Sequence, residues 1–503
     1  EITVSGQLNI GSASLHGDDW AGILVNGGEI NLEGTYLLNA IQSWTLENFA
    51  IAEINEATLS NSIDGHLILN SGSSANIEDS SFELGDNCIK TSDDAQISLT
   101  IESSNISLCN VGIRATGAQI NLNEVIMYTS GAGIRIIDVS GSMSNISIDG
   151  DFTIYDGPNN PPISVISDMS GIEILDQINE LLISNIYIDM QSVALSIEDS
   201  IGVQLTSLDV SNIRVIRTSG TITNLISQEI NVDDSRPSDT IILEQVVGTY
   251  LNASGNSGQS CISLISSIIS EISLNDICMN MHEGEVNDLW INSIYESQSS
   301  LESTLHNSIS VNGLAELILA HTHYFVATLD NSIIDANFVL SWENSDNSYI
   351  FTGEQNHSVI WQIITSNEII DLSNATLITT YIGAIPNSTS INLGPSFTIP
   401  LIELETNPSP IVTLIMPEGL NQIPQGATIT PSGVITEVNY TATDNHGIAS
   451  IMWYLMNLDT SEESTITSAS TFALSELTEG EYSLSIIVID SYGAMTVVTQ
   501  LFT

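Results

Sequence analysis

Only six basic side chains occur among 503 residues, and four of them recur in a pattern. Lys90 follows Cys88-Ile89, Arg114 follows Gly112-Ile113 and Arg135 follows Gly133-Ile134, at nearly even intervals. Arg214 follows Asn212-Ile213 in the same way. If these intervals are turns of a coil, the cations stack on one outer face. Such a strip would dock an anionic glycan, form part of a catalytic site, or neutralise nearby Asp93, Asp94 and Asp138 as a ladder of ion pairs. Against 61 acidic residues, local neutralisation is the simplest reading. Each exposed pair would then contribute under about 1 kcal/mol.

Other residues offer metal chemistry. Asp444, Asn445 and Asp490, with Glu437 in support, sit in turns close to glycines and carry the hard oxygen ligands that calcium prefers. The plainer role for Asp and Asn there is turn formation. His321 and His323 are two apart, share a strand face and could hold a transition metal, although two ligands make a weak site. Cys88 and Cys109 stand close to one such interval apart, and so do Cys261 and Cys278. Stacked coils bring such positions within disulfide range, so the pairs Cys88–Cys109 and Cys261–Cys278 are expected, with an oxidising compartment. Seven sequons, at Asn105, Asn145, Asn252, Asn356, Asn374, Asn387 and Asn439, mark possible glycosylation sites in a secreted chain.

The elements that must position these residues are strands. Alternation of apolar and polar residues dominates, as in Gln119-Ile-Asn-Leu and Tyr187-Ile-Asp-Met, and helical periodicity is hard to find. The tripeptide Ser-Asn-Ile recurs at 104–106, 144–146, 184–186 and 211–213. The first two gaps are equal, and each is read as two turns of the coil. A period near 20–25 residues with two or three strands per turn predicts a right-handed parallel β-helix over 1–318, of roughly 13 coils and about 65 Å. Segment 319–406 reads as a β-sandwich, with strands such as Asn337-Phe-Val-Leu-Ser-Trp and Ser358-Val-Ile-Trp-Gln-Ile-Ile. After the linker Asn407-Pro-Ser-Pro, residues 407–503 hold about seven alternating strands, expected as an immunoglobulin-like sandwich. The fold class is therefore all-β.

Ala442-Thr-Asp-Asn-His-Gly-Ile-Ala, Met452-Trp-Tyr, Leu477-Thr-Glu-Gly-Glu-Tyr-Ser-Leu and Ile489-Asp-Ser-Tyr-Gly-Ala together resemble bacterial and archaeal immunoglobulin-like domains of surface proteins, close to cadherin-like and polycystic-kidney-disease-type modules. That resemblance implies adhesion, a surface layer or a filament. The coil region resembles the pectin-lyase-like superfamily in architecture alone. Gly85-Asp-Asn-Cys-Ile-Lys is similar to the Gly-Asp-Asp-Cys-Ile motif of polygalacturonases, but Asn87 replaces the second acid. The family's Asn-Thr-Asp and Gly-His-Gly motifs are missing, and Gly65-His66 precedes the motif. Hydrolysis needs two placed carboxylates, so the departure argues against an enzyme.

The formal net charge is −55. Nucleic acid and anionic membranes are disfavoured, cations are attracted, and a salty or calcium-containing medium would screen the self-repulsion. No apolar run is long enough for a transmembrane helix. Both ends of the sequence read as edges of a processed or larger chain. The expectation is an extracellular structural or adhesive surface protein, self-associating or bound to other surface proteins, with calcium as its cofactor. The alternative is a polysaccharide-binding or polysaccharide-degrading β-helix. Trp20, Trp44 and Trp290 do not recur at the coil spacing, which weakens the case for an aromatic glycan platform.

Overall fold

The computed structural model describes residues 2–129, 131–154, 163–166, 170–190, 192–234, 240–256, 260–342, 345–394, 397–415, 437–467, 472–473, 477 and 480–502. The described elements are all strands. Glu1–His321 with Gln362–Ile370 form one compact unit, and Thr322–Trp361 with Asp371–Thr503 form a second.

The first unit is a parallel β-helix with three faces. Face I starts with Ile2–Val4, face II with Gln7–Gly11 and face III with Ser14–Trp20. Each then pairs in parallel with the equivalent strand of the next coil. One core column shows the register. Ile23, Trp44, Leu67, Ile89, Ile113, Ile134, Ile172, Leu195, Ile213, Ile230, Leu251, Ile272 and Leu289 are paired in succession. All of them are buried, so each apolar side chain packs on the same position of the coil before it. The sequence interval between paired residues varies only modestly, except for the longer step from Ile134 to Ile172. That long step carries an antiparallel hairpin, Asp151–Ile154 with Ile163–Ile166, outside the parallel sheet.

This register corrects the reading of Ser-Asn-Ile. Ile146 pairs directly with Ile186, so the second gap between tripeptides is one coil plus the hairpin, not two turns. Ile106 is equivalent to Met127 and Ile148 rather than Ile146, and Ile213 lies on another face altogether. Only the tripeptides at 144–146 and 184–186 are equivalent.

Between faces II and III each coil from that of Ser12 to that of Glu283 turns through one residue of positive φ: Ser12, Gly34, Glu56, Asp79, Ser103, Glu124, Asn145, Asn185, Ser207, Asn224, Gln245, Ser266 and Glu283. Left-handed backbone is costly for residues with a Cβ, so other contacts must hold these corners. Buried hydroxyls supply some of them. Ser80 Oγ accepts from Ala57 N at 3.1 Å, and Ser104 Oγ accepts from Ser80 N at 3.1 Å. The face I–II corner repeats the device: Ser200 Oγ accepts from Gln177 N and Thr218 Oγ1 from Ser200 N. A buried N–H left alone would cost on the order of 1–3 kcal/mol, so each hydroxyl protects the coil beside it.

Two disulfides tie neighbouring coils. Cys88–Cys109 spans 5.8 Å between Cα atoms and Cys261–Cys278 spans 4.4 Å. Among the described residues no cysteine is free.

In the second unit, residues 327–406 contribute two four-stranded sheets around Phe325, Phe338, Leu340, Leu377 and Ile391. The strand expected there at Ser358–Ile364 lies in Gln355–Thr365 and pairs with the long strand Cys278–Phe325 instead. Residues 411–502 form a three-stranded and a four-stranded sheet around Val438, Trp453, Leu484, Ile486 and Val488. Tyr482–Asp490 alternates strictly between buried and half-buried positions, as a strand with one core face must.

Replacing Cys261 and Cys278 by Ala is expected to destabilise the coil region by about 3 kcal/mol, from the loop entropy released. Denaturant unfolding of variant and native chain, each with and without reductant, checks this. The variant should lose its sensitivity at this bridge.

Candidate functional site

Because coils stack in register, outward residues form columns, and three places hold columns or clusters with chemical potential. The first is a groove of about 550 Å³ on face II of the opening coils. Asn9, Asn31, Glu53 and Asn76 pair in succession along one column. Gly11, Glu33, Asn55 and Glu78 pair along the next. Between them Leu32, Ile54 and Ile77 point inward and are buried, which fixes the polar residues on the outer surface.

The amides are ordered by their neighbours. Asn31 Nδ2 donates to Asn9 Oδ1 at 2.8 Å and to Glu29 Oε1 at 3.2 Å. Asn76 Nδ2 donates to Glu53 Oε2 at 2.9 Å. The groove thus offers amide donors and acceptors beside free carboxylate lone pairs, spaced by one coil rise. Sequence reasoning missed it. The signal was present: Asn9-Ile-Gly, Asn31-Leu-Glu, Glu53-Ile-Asn and Asn76-Ile-Glu recur once per coil.

The second place is the basic column on face I. Lys90 pairs with Arg114, Arg114 with Arg135, and Arg135 with Glu173. Arg214 lies farther along the same column, paired with Ser196 and Asn231. Arg135 Nε sits 3.1 Å from Glu173 Oε2. The acids expected as partners are engaged elsewhere. Asp138 Oδ1 accepts from Ile178 N, Asn179 N and Asn179 Nδ2, all at 3.0 Å, and Asp94 Oδ1 accepts from Gln96 N. The correction has a simple cause: a carboxylate one coil away lies directly over the guanidinium, whereas Asp138 belongs to a corner. Arg217, unmarked by the sequence pattern, makes the fuller pair, with Glu198 Oε1 at 2.8 Å and Asp199 Oδ2 at 2.5 Å. Among the described residues no carboxylate lies in ion-pair range of Lys90 or Arg114. Trp290 lies farther along this column and is exposed, while Trp44 is in the core and Trp20 donates to Leu38 O.

The polygalacturonase-like segment is structural. Cys88 is in a disulfide, and Asp86 accepts from Asn87 Nδ2 at 2.6 Å and Asn110 Nδ2 at 3.1 Å. A Cβ at Gly85 would meet His66 Nε2 at 3.3 Å and Cys88 Sγ at 3.5 Å, so this glycine makes room for the imidazole. His66 is fully buried, and its Nε2–H donates to Glu83 O at 2.7 Å. Burial lowers its pKa from 6.5 to about 4, against the opposing pull of that bond. It faces the core, where no substrate reaches it.

The third place is in the second unit. Asp444, His446 and Asp490 each bring one ligand atom within 4.8 Å of the others. Asp444 Oδ1 accepts from His446 N at 2.7 Å, and His446 Nδ1 stands 3.8 Å from Asp444 Oδ1. Asp490, 1% exposed, accepts from Tyr492 N and Ala494 N through Oδ1 and from Asn407 Nδ2 through Oδ2. Burial raises its carboxyl, but the bonds from Asn407, Tyr492, Ala494 and Gly493 outweigh that and hold it below the ordinary carboxylate value. Asn445 is exposed, and the Glu437 side chain lies outside the described residues. His446 is the member of this cluster that sequence reasoning missed.

His323 is buried with Nε2 2.9 Å from Leu393 O, so that nitrogen is engaged by the backbone, and burial lowers the pKa of His321. The sequons at Asn105, Asn145, Asn252, Asn356, Asn374 and Asn439 are exposed, and Asn387 is half-buried. Asn145 already donates to Asn123 Oδ1 and accepts from Asn185 Nδ2 in an amide ladder.

No family model and no curated protein matches the chain. Among solved structures it is similar to full-length tailspike protein 2 of Escherichia coli O157:H7 bacteriophage CAB120, at 9% identity over 100% of this chain and 70% of that one, with a TM-score of 0.24. It is also similar to a mutant tailspike of E. coli bacteriophage HK620 in complex with a hexasaccharide, at 9% identity over 71% of this chain and 85% of that one, with a TM-score of 0.19. At these scores the likeness carries no argument about function, which rests on the side chains above. No helix among the described residues is long and apolar enough to cross a membrane.

The buried imidazole fixes a pH dependence. Between pH 6.5 and about 4, folded His66 binds fewer protons than unfolded His66. Its favourable neutral state is therefore fully expressed above pH 6.5, and stability falls as pH drops towards about 4, by roughly 3 kcal/mol in all. Protonation of carboxylates changes stability over the same range, so the measurement is the difference between native chain and His66→Gln. That difference should shrink steadily from pH 7 to pH 4 in denaturant titrations.

Proposed function

We propose that the chain is an extracellular β-helix protein that binds a neutral polysaccharide along face II and does not cleave it. The observation that supports this best is the groove over Asn9, Asn31, Glu53, Asn76, Glu33 and Glu78. Sugar hydroxyls are both donors and acceptors. Paired amides and carboxylates answer both at once, and they repeat here at the coil rise of about 4.8 Å, comparable with the length of one pyranose unit. A groove with several carboxylates and no cation in its lining repels acidic polymers, as does the net charge of −55.

Cleavage is disfavoured because a glycosidase needs one carboxyl held protonated beside the scissile oxygen. Glu33, Glu53 and Glu78 are all exposed to water. The inter-coil disulfides support an oxidising, extracellular setting. A rigid stack suits display at a cell or particle surface, where calcium or other cations would screen its charge.

The test is a glycan array followed by calorimetry with the retained neutral oligosaccharide. Asn31→Ala with Glu53→Ala should weaken binding about tenfold or more, since each lost hydrogen bond is worth about 1 kcal/mol. Native chain and polymer incubated together should release no reducing ends. Absence of any neutral ligand, or equal affinity in the double variant, overturns the proposal. Released reducing ends would establish a hydrolase in its place.

A further inference from the structure

We infer that Asp444, His446 and Asp490 form a binding site for a single divalent transition-metal ion of the zinc class, with Asn407 beside it. Two observations besides the clustering point to a cation. His446 Nδ1 is buried and has no hydrogen-bond partner, although Asp444 Oδ1 lies 3.8 Å away, too far for a hydrogen bond. Asn407 is 4% exposed, abuts Asp490 through Nδ2, and leaves Oδ1 buried without a partner. Buried polar atoms are rarely left so, and two at one cluster call for a ligand that accepts lone pairs.

The donor set chooses the ion. An imidazole nitrogen with two carboxylates suits zinc or cobalt, whereas calcium takes six to eight oxygens. The site is preorganised by the backbone. Asp444 is clamped by His446 N, and Asp490 by Tyr492 N and Ala494 N, so neither carboxylate must be ordered on binding. Three protein ligands leave a fourth position for water. The calcium expected from the sequence at Asp444, Asn445 and Asp490 is thereby replaced by a softer ion held by His446.

The experiment titrates metal-stripped full-length protein with Co²⁺ in high salt and excess Mg²⁺, which occupy the diffuse acidic surface. One Co²⁺ per chain should bind with visible d–d absorption, Zn²⁺ should displace it, and excess Ca²⁺ should not. His446→Ala should abolish the absorption and weaken binding at least tenfold. Asp444→Asn, a near-isosteric change, should weaken it similarly while the circular dichroism of the chain stays unchanged. Lack of stoichiometric Co²⁺ absorption, its full retention in His446→Ala, or its displacement by Ca²⁺ overturns the inference.

Discussion

Everything in the first unit depends on one interaction, the parallel hydrogen bonding of each coil to the same positions of the next. A parallel sheet leaves no freedom to slip by one residue, because a slip would turn Ile89, Ile113 and Ile134 outwards. The same constraint converts every side chain into a member of a column. Apolar columns become the core, amide columns become ladders such as Asn145–Asn185, and charged columns are forced into close company. Like charges directly opposite one another are unfavourable. The run Lys90–Arg114–Arg135 is stopped by Glu173, whose pairing with Arg135 offsets part of that cost. Stacking also reaches the corners, where a hydroxyl of one coil satisfies an N–H of its neighbour.

The β-helix was legible because its two strongest signals, alternation along each strand and recurrence once per coil, are dictated by this stacking. The register of Cys88-Ile-Lys, Gly112-Ile-Arg and Gly133-Ile-Arg could be read directly, since an aliphatic residue followed by an outward cation marks one position on one face. Ser-Asn-Ile misled for a physical reason. Asn is favoured in left-handed corners, as at Asn145 and Asn185, but it is equally acceptable at a strand start, as at Asn105. A tripeptide common in both settings does not define a phase. The strand at Ser358–Ile364 was recognised as a strand but assigned to the wrong partners, because alternation shows which face is buried and not against what.

The sites were less legible than the fold. Each groove column mixes Asn and Glu, so no single residue type recurs even though the chemistry does. In the second unit, Asp444 and Asp490 are far apart along the chain, and the sequence offered many equivalent acids. What distinguishes them is the fold around them: a buried amide on one side, an imidazole two residues on, and backbone N–H groups closing the turns. Such information lies in tertiary placement, and a chain with 61 acidic residues hides it well.

The excursion between Ile134 and Ile172 shows what the stacked architecture tolerates. The extra residues leave the sheet as a hairpin and return, and the next coil resumes its phase as though nothing had been added. Length is therefore a local variable in this molecule, while phase is a shared one. Corners can be lengthened one at a time at almost no cost to the spine. Deletion of one residue within a strand is different, since it would turn the rest of that strand's side chains to the opposite face until the next corner restores the phase.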